Sequence, residues 1–377
     1  MKFIFFFTLF LCTFSLHSSK ALEIHVFKVK QCDSQLIVFP SGYSILIDLG
    51  DRNSEAKYTK HVATRIESIL GKKKVDVFVL THYHPDHTGT KGTNGVWYLL
   101  EKKGFSFGKF LKRDAGSYSG SKLSSCSKSK ISWKHAGEMT SSMAKFVCYA
   151  VSSKDKTKLS KIAHTISRCS TSQITPPDSG AKVTVLMKDA LGIKANGKSI
   201  SGNTMSKSKP TSENDFSICM RIQYQKFVYS TCGDISGYTK PGDVMTFTDV
   251  ESTVAPMMGE VDLLHVNHHG SDLGTNSKWC STLKPTVSVI SCGGGALPNK
   301  PPLQRLKDIG SKVYTTGKDC NQDAVNKFSN IVQMDDDVVI TVPTGGKTFT
   351  VASPSGKNKK TFNIKQSKKA PSACKKL

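Results

Sequence analysis

Four side chains able to hold a metal stand within the six positions 82–87, where THYHPDHTG supplies His82, His84, Asp86 and His87 directly after the apolar run VDVFVL at 75–80. A continuous apolar run of that length, with turn residues beyond it, reads as a buried strand. Alternate residues of an extended segment point the same way, so His82 and His84 can share one ion while the following turn swings Asp86 and His87 towards a second. Imidazole and carboxylate donors suit zinc, with manganese or iron as alternatives.

The rest of the chain alternates strand and helix signals. EIHVFKV from Glu23, QLIVF from Gln35 and SILID from Ser44 read as short strands. Residues 55–70 carry apolar groups at helical spacing. Further strands are expected at 181–187, 216–224, 226–231, 261–266, 286–291, from Val338 and from Lys347, and helices near 249–258, 276–283 and 302–309. A length of 377 residues allows one large or two ordinary domains. Residues 103–180, rich in Lys and Ser, read as a surface insertion, and 346–377 as a final strand with a basic tail.

The first 21 residues, with an apolar run from Phe3 to Leu16 and small side chains at Ser19 and Ala21, read as a secretory signal. The expectation is a secreted protein with no transmembrane segment in the mature chain. Removing Cys12 with that segment leaves ten of the eleven cysteines, and export permits disulfides. Cys126, Cys148, Cys169, Cys320 and Cys374 are the expected partners. Cys219, Cys232 and Cys292 lie in strand-like stretches and read as small buried side chains.

Fifty-three basic and 29 acidic residues leave a net charge of +24, which favours a polyanion such as nucleic acid as substrate or partner. Lysines cluster at 72–74, 102–113, 122–130, 154–161 and 357–376, and Phe105, Phe107, Phe110 and Tyr118 stand near them as candidate stacking groups.

The HxHxDH run resembles the metallo-β-lactamase fold hydrolases, and three further stretches match that family in order. Asp48 in ILIDLGD resembles the aspartate that orients the metal histidines, Asp234 in STCGDISG the aspartate that bridges two metals, and His268 and His269 in VNHHGSD the late histidine motif. HHGS together with ENDFS at 213–217 resembles the branch that contains the metallo-hydrolase domain of the DNA-uptake protein ComEC and its secreted relatives.

The resemblance implies an α/β fold of the αββα sandwich type over residues 22–345. It also implies two divalent ions held by His82, His84, Asp86, His87, Asp234 and His268. Asp86 would orient the attacking water as well as ligate, and His269 would stand as a neighbour or a hydrogen-bond donor in the transition state. Many members carry another histidine between the two motifs, where this chain has only His135 and His164; Lys300 in ALPNKPP stands where the branch commonly has a histidine. His25 and His61 read as ordinary strand and helix residues. With the charge, the expected function is a secreted metal-dependent phosphodiesterase or nuclease. A hydrolase of small lactones, lactams or esters and an inactive binder of anionic polymers are the alternatives.

Overall fold

The computed structural model describes residues 21–114, 116–118, 125–132, 141–150, 162–195, 197–201, 210–242 and 245–375. The leader and His135 lie outside them.

Nine strands make the first sheet: β1 (Ala21–Val26), β2 (Gln35–Val38), β3 (Ser44–Ile47), β4 (Lys74–Leu80), β5 (Ser106–Lys112), β6 (Ala163–Thr165) and, from the far end of the chain, β14 (Val338–Pro343), β15 (Thr348–Ala352) and β16 (Lys360–Asn363). Their order is β16-β15-β14-β1-β2-β3-β4-β5-β6, antiparallel up to β3 and parallel from β3 to β6. The second sheet holds β7 (Ala181–Met187), β8 (Cys219–Tyr224), β9 (Phe227–Thr231), β10 (Leu263–His265), β11 (Val287–Ile290), β12 (Lys312–Thr315) and β13 (Ile331–Gln333) in the order β13-β12-β11-β10-β9-β8-β7.

Side chains alternate across a strand, and the three cores follow from that. In β4, Val77 and Val79 turn inwards with Leu22, Ile24 and Ile45 to meet Val183, Ile222, Tyr229 and Leu263 of the second sheet. Phe78 and Leu80 turn outwards, against Val62 and Ile66 of helix α1 (Lys57–Leu70) and Val96 and Trp97 of α3 (Gly95–Glu101), with the short helix α2 (Pro85–Thr88) between them in sequence. The outer face of the second sheet is covered by α5 (Glu251–Met258), α6 (Ser277–Leu283) and α7 (Lys300–Asp308), through Val254, Trp279, Leu283 and Leu303. Helix, sheet, sheet, helix is the αββα sandwich.

Four expectations change. Residues 106–112 are not surface insertion: β5 pairs with β4 over six registered residues, because Phe107 and Phe110 complete the outer core. Phe105, Phe107 and Phe110 are buried and Phe78 stacks on Phe110 at 5.0 Å, so none of the three can receive a base, and Arg113 is fully buried. From the expected insertion, α4 (Ser141–Ala150) likewise sends Met143, Phe146 and Val147 into that core.

The basic tail is integrated. β16 closes the first sheet, Ile364 is buried, and the Lys368 Nζ lies 2.8 Å from the buried Asp262. Cys374 is bonded to Cys169, 205 residues away in sequence. The other disulfides are Cys126–Cys148, Cys219–Cys232 and Cys292–Cys320, so Cys219, Cys232 and Cys292 are cross-linked rather than free, and Cys32 and Cys280 are the buried thiols among the described residues. No helix among the described residues is long and apolar enough to cross a membrane.

Candidate metal centre

Strand ends from both sheets converge on one point. β4 delivers His82 and His84, α2 delivers Asp86 and His87, the residues after β9 deliver Asp234, and a tight turn after β10 delivers His268 and His269. One ligand-type atom from each of Asp86, His87, Asp234 and His269 lies within 4.8 Å of the others, and all four residues are buried. Asp234 Oδ2 is the hub, 3.3 Å from His87 Nε2 and 3.8 Å from both His82 Nε2 and His269 Nε2. His84 stands beside them, its ring 5.0 Å from that of His82.

Three of the imidazoles, of His82, His87 and His269, are oriented from behind. Asp48 Oδ2 lies 2.7 Å from His87 Nδ1 and accepts the Thr81 hydroxyl, whose oxygen is 3.1 Å from His82 Nδ1. His269 Nδ1 lies 3.0 Å from the Ser291 carbonyl. A proton held at Nδ1 leaves the Nε2 lone pair facing the cluster, the arrangement metal-ligating histidines adopt. Asp48 makes these bonds from a left-handed backbone (φ 55°), which Asp tolerates better than most residues.

The residues fit a divalent ion. His82 Nε2, Asp86 Oδ1, His87 Nε2, Asp234 Oδ1 and His269 Nε2 are buried, and none has a hydrogen-bond partner. Buried polar atoms are ordinarily paired, so five unpaired N and O atoms on neighbouring residues mark a place for a cation. The electrostatics agree. Burial would raise Asp234, yet His87, His269 and His268 hold its carboxyl well below the ordinary value. Burial would lower His87, yet Asp234 and Asp48 hold it well above. The carboxylates therefore draw positive charge into the cavity.

Of the late histidine pair, His269 stands in the four-residue cluster, whereas His268 lies beside it. Asn214 Nδ2 donates to His268 Nε2 at 3.3 Å. His268, His269 and Gly270 are all left-handed (φ 51°, 52° and 76°), and the two imidazoles meet edge to face, their centroids 6.4 Å from each other. Pro298 packs against Gly270, where an added Cβ would lie 2.6 Å from the proline Cβ. Of the remaining candidates, His164 is exposed on β6 and Lys300 is exposed at the start of α7. His25 pairs with Glu23, and His61 with Asp337.

Several residues hold the site in place without a role assigned to them by the sequence, although ENDFS stands out there as a motif. Arg52 reaches Asp86 Oδ2 at 2.8 Å. Glu213 accepts the Tyr83 backbone N–H between the two metal-motif histidines and pairs with Arg113, which also holds Asp189 at 2.9 Å. Ser217 Oγ accepts the Asp234 N–H, so ENDFS braces both halves of the site. Gly50 must be glycine, since a Cβ there would lie 1.5 Å from the Asp86 carbonyl oxygen.

Residues 28–93, which include Asp48 and the whole His82–His87 run, match the model of the Metallo-beta-lactamase superfamily. That match takes in the metal-motif stretch of the chain and supports a metal-dependent hydrolase. Solved structures that match include a protein from Parabacteroides distasonis described as a metal-dependent hydrolase, at 12% identity and TM-score 0.39 over 78% of this chain and 93% of that one. A diphosphatase from the PhnP family matches at 12% and 0.40 over 85% and 96%. Unliganded yeast PDE1 matches at 10% and 0.33 over 78% and 87%. No curated protein matches the sequence.

Proposed function

We propose that the protein is a secreted phosphodiesterase of nucleic acid, of the ComEC-like branch, working with two divalent ions, zinc by preference. The observation that carries this reading is the set of unpaired, buried N and O atoms around Asp234, in a chain of net charge +24. Asp86, His87, Asp234 and His269 would hold one ion, and His82 with His84 the other, Asp234 serving both. Bound there, divalent ions polarise a phosphoryl oxygen and make a water acidic enough to attack near neutral pH. The chain's own groups then set direction. Asp86 is fixed by Arg52, whose guanidinium side chain is 58% exposed and presents its remaining donors to an arriving anionic phosphate. Four disulfides and the leader-like N-terminus support an oxidising destination.

The test is metal analysis of the purified mature protein combined with turnover of single-stranded DNA, RNA, a chromogenic phosphodiester and a lactone. About two equivalents of metal, with phosphodiester cleavage abolished by chelation, are expected for a two-metal site. Lactone opening without phosphodiester cleavage, or nucleic-acid binding without turnover, would replace this reading by the corresponding alternative.

A further inference from the structure

A cationic groove leads away from the metal centre on the α1 side. A recess of about 300 Å³ is lined by Lys30, Gln31, Cys32, Arg52, Tyr58 and Gly293, among others. It continues into a second of about 650 Å³, with Lys28, Lys57, His61 and Lys318 in its walls. Lys30 and Tyr58 line both, so the two recesses adjoin and together make the track. Arg52 closes its inner end, and the same guanidinium touches Asp86 Oδ2 of the cluster at 2.8 Å. Gly293 lets the far wall come close, since a Cβ there would lie 2.9 Å from the Lys30 Cα.

The charge in this track exceeds its internal pairing. Lys28, Lys30, Lys57, Lys318 and Arg52 face Asp319, Asp335 and Asp336. Asp335 already serves both Lys28 (2.6 Å) and Lys318 (3.1 Å), and Lys30 meets Asp319 only at 3.9 Å. Lys30 and Lys318 are 52% and 72% exposed, so their ammonium groups can turn to phosphates. Tyr58 is half-buried on α1, with the Lys57 ammonium 5.9 Å from its ring centroid. An aromatic ring between basic side chains is the combination that holds single-stranded nucleic acid, through stacking and backbone charge together.

We propose that this groove is the binding track for the single strand flanking the scissile phosphodiester, with Lys30 and Lys57 on backbone phosphates and Tyr58 under a base. The proposal rests on the phosphodiesterase reading for its purpose, but its test needs no catalysis. Binding of a fluorescent oligothymidylate to the full mature chain is measured by anisotropy in EDTA over a range of salt. In the K30E/K57E variant, affinity should fall about tenfold or more and the slope of log K against log salt should become shallower by about 1.4, the loss of two single-strand phosphate contacts. Y58L should lose about tenfold through stacking alone, with the slope unchanged. The control K72E/K102E carries the same charge change on exposed positions away from the groove and should lose less than about threefold, through screened long-range charge only.

Equal weakening by the control, or no binding by the wild type at low salt, would overturn the proposal. So would duplex DNA or inorganic polyphosphate displacing the probe as readily as unlabelled oligothymidylate does. Binding without cleavage when metal is restored would strike the phosphodiesterase reading and leave the groove standing, and cleavage of a small diester without oligothymidylate binding would do the reverse.

Discussion

At His269, the Ser291 carbonyl on Nδ1 leaves Nε2 turned to Asp86 and Asp234, whereas Nε2 of the adjacent His268 is taken by Asn214. Replacing His269 by Gln should therefore remove about one equivalent of metal, whereas H268Q should keep both, as read by plasma emission on dialysed protein. Equal metal loss in the two variants would return His268 to the ligand set. Asp48 acts one residue further out, through the His87 Nδ1 and Thr81. D48N should weaken metal affinity by about 10–100-fold, measured by competition with a chromogenic chelator, with the fold intact by circular dichroism. The residues that gather around Asp234 were legible from HxHxDH and STCGD, because ligand-type residues so closely spaced after a buried strand rarely arise by chance. The places of the two late histidines were not, because they turn on contacts with the distant Ser291 and Asn214.

Strand β5 illustrates how an element can be hidden in a composition. SFGKFLK lies within a run dense in lysine, yet its Phe107, Phe110 and Leu111 are buried between neighbours on both faces, and Lys112 is buried deeply enough to bring its ammonium down to about 8. Only pairing with β4 and the cover of Phe146 make these residues interior. F110A should cost about 3–5 kcal/mol in urea unfolding, as large core truncations do, with little change in oligonucleotide affinity. An affinity loss without destabilisation would restore Phe110 as a stacking group. The helices were easier to read, since α1 at Lys57–Leu70 falls inside the 55–70 window and buries Val62, Ala63 and Ile66 as one stripe.

Long-range ties join the two ends of the chain to its middle. Asp337, immediately before β14, accepts from the Lys28 N–H and the Arg65 Nε, and lies 2.8 Å from His61 Nε2. Burial alone would raise its carboxyl; His61, the Lys28 N–H and Arg65 outweigh it and hold the value below that of an ordinary aspartate. Its folded pKa being the lower one, its stabilisation is complete above the unfolded value of about 3.9 and is lost as pH falls through the folded value. The Tm of the wild type should therefore drop more steeply below about pH 4 than that of D337N, which has no such carboxyl to protonate. The Cys169–Cys374 bond closes the longest loop of the four. C374S should cost about 2–5 kcal/mol by denaturant unfolding, and removing 356–377 at least as much because β16 goes with it. Loss of the tail is thus a stability experiment before it is a binding experiment.

The sequence by itself determined the αββα class, most strand positions and the ligand-type residues that gather around Asp234. These rest on local periodicity and on ligand residues next to one another in the chain. Tertiary structure alone decided that β5 and β16 are sheet strands, which cysteines pair, that His269 stands in the four-residue cluster, that Arg52 reaches Asp86, and what Glu213 and Asn214 of the ENDFS motif touch. Each of those depends on which distant backbone lies alongside: Glu213 meets Tyr83 across 130 residues, and Cys374 meets Cys169 across 205. Contacts of that separation are set by how two sheets stack and where their strand ends converge, which short-range spacing does not contain.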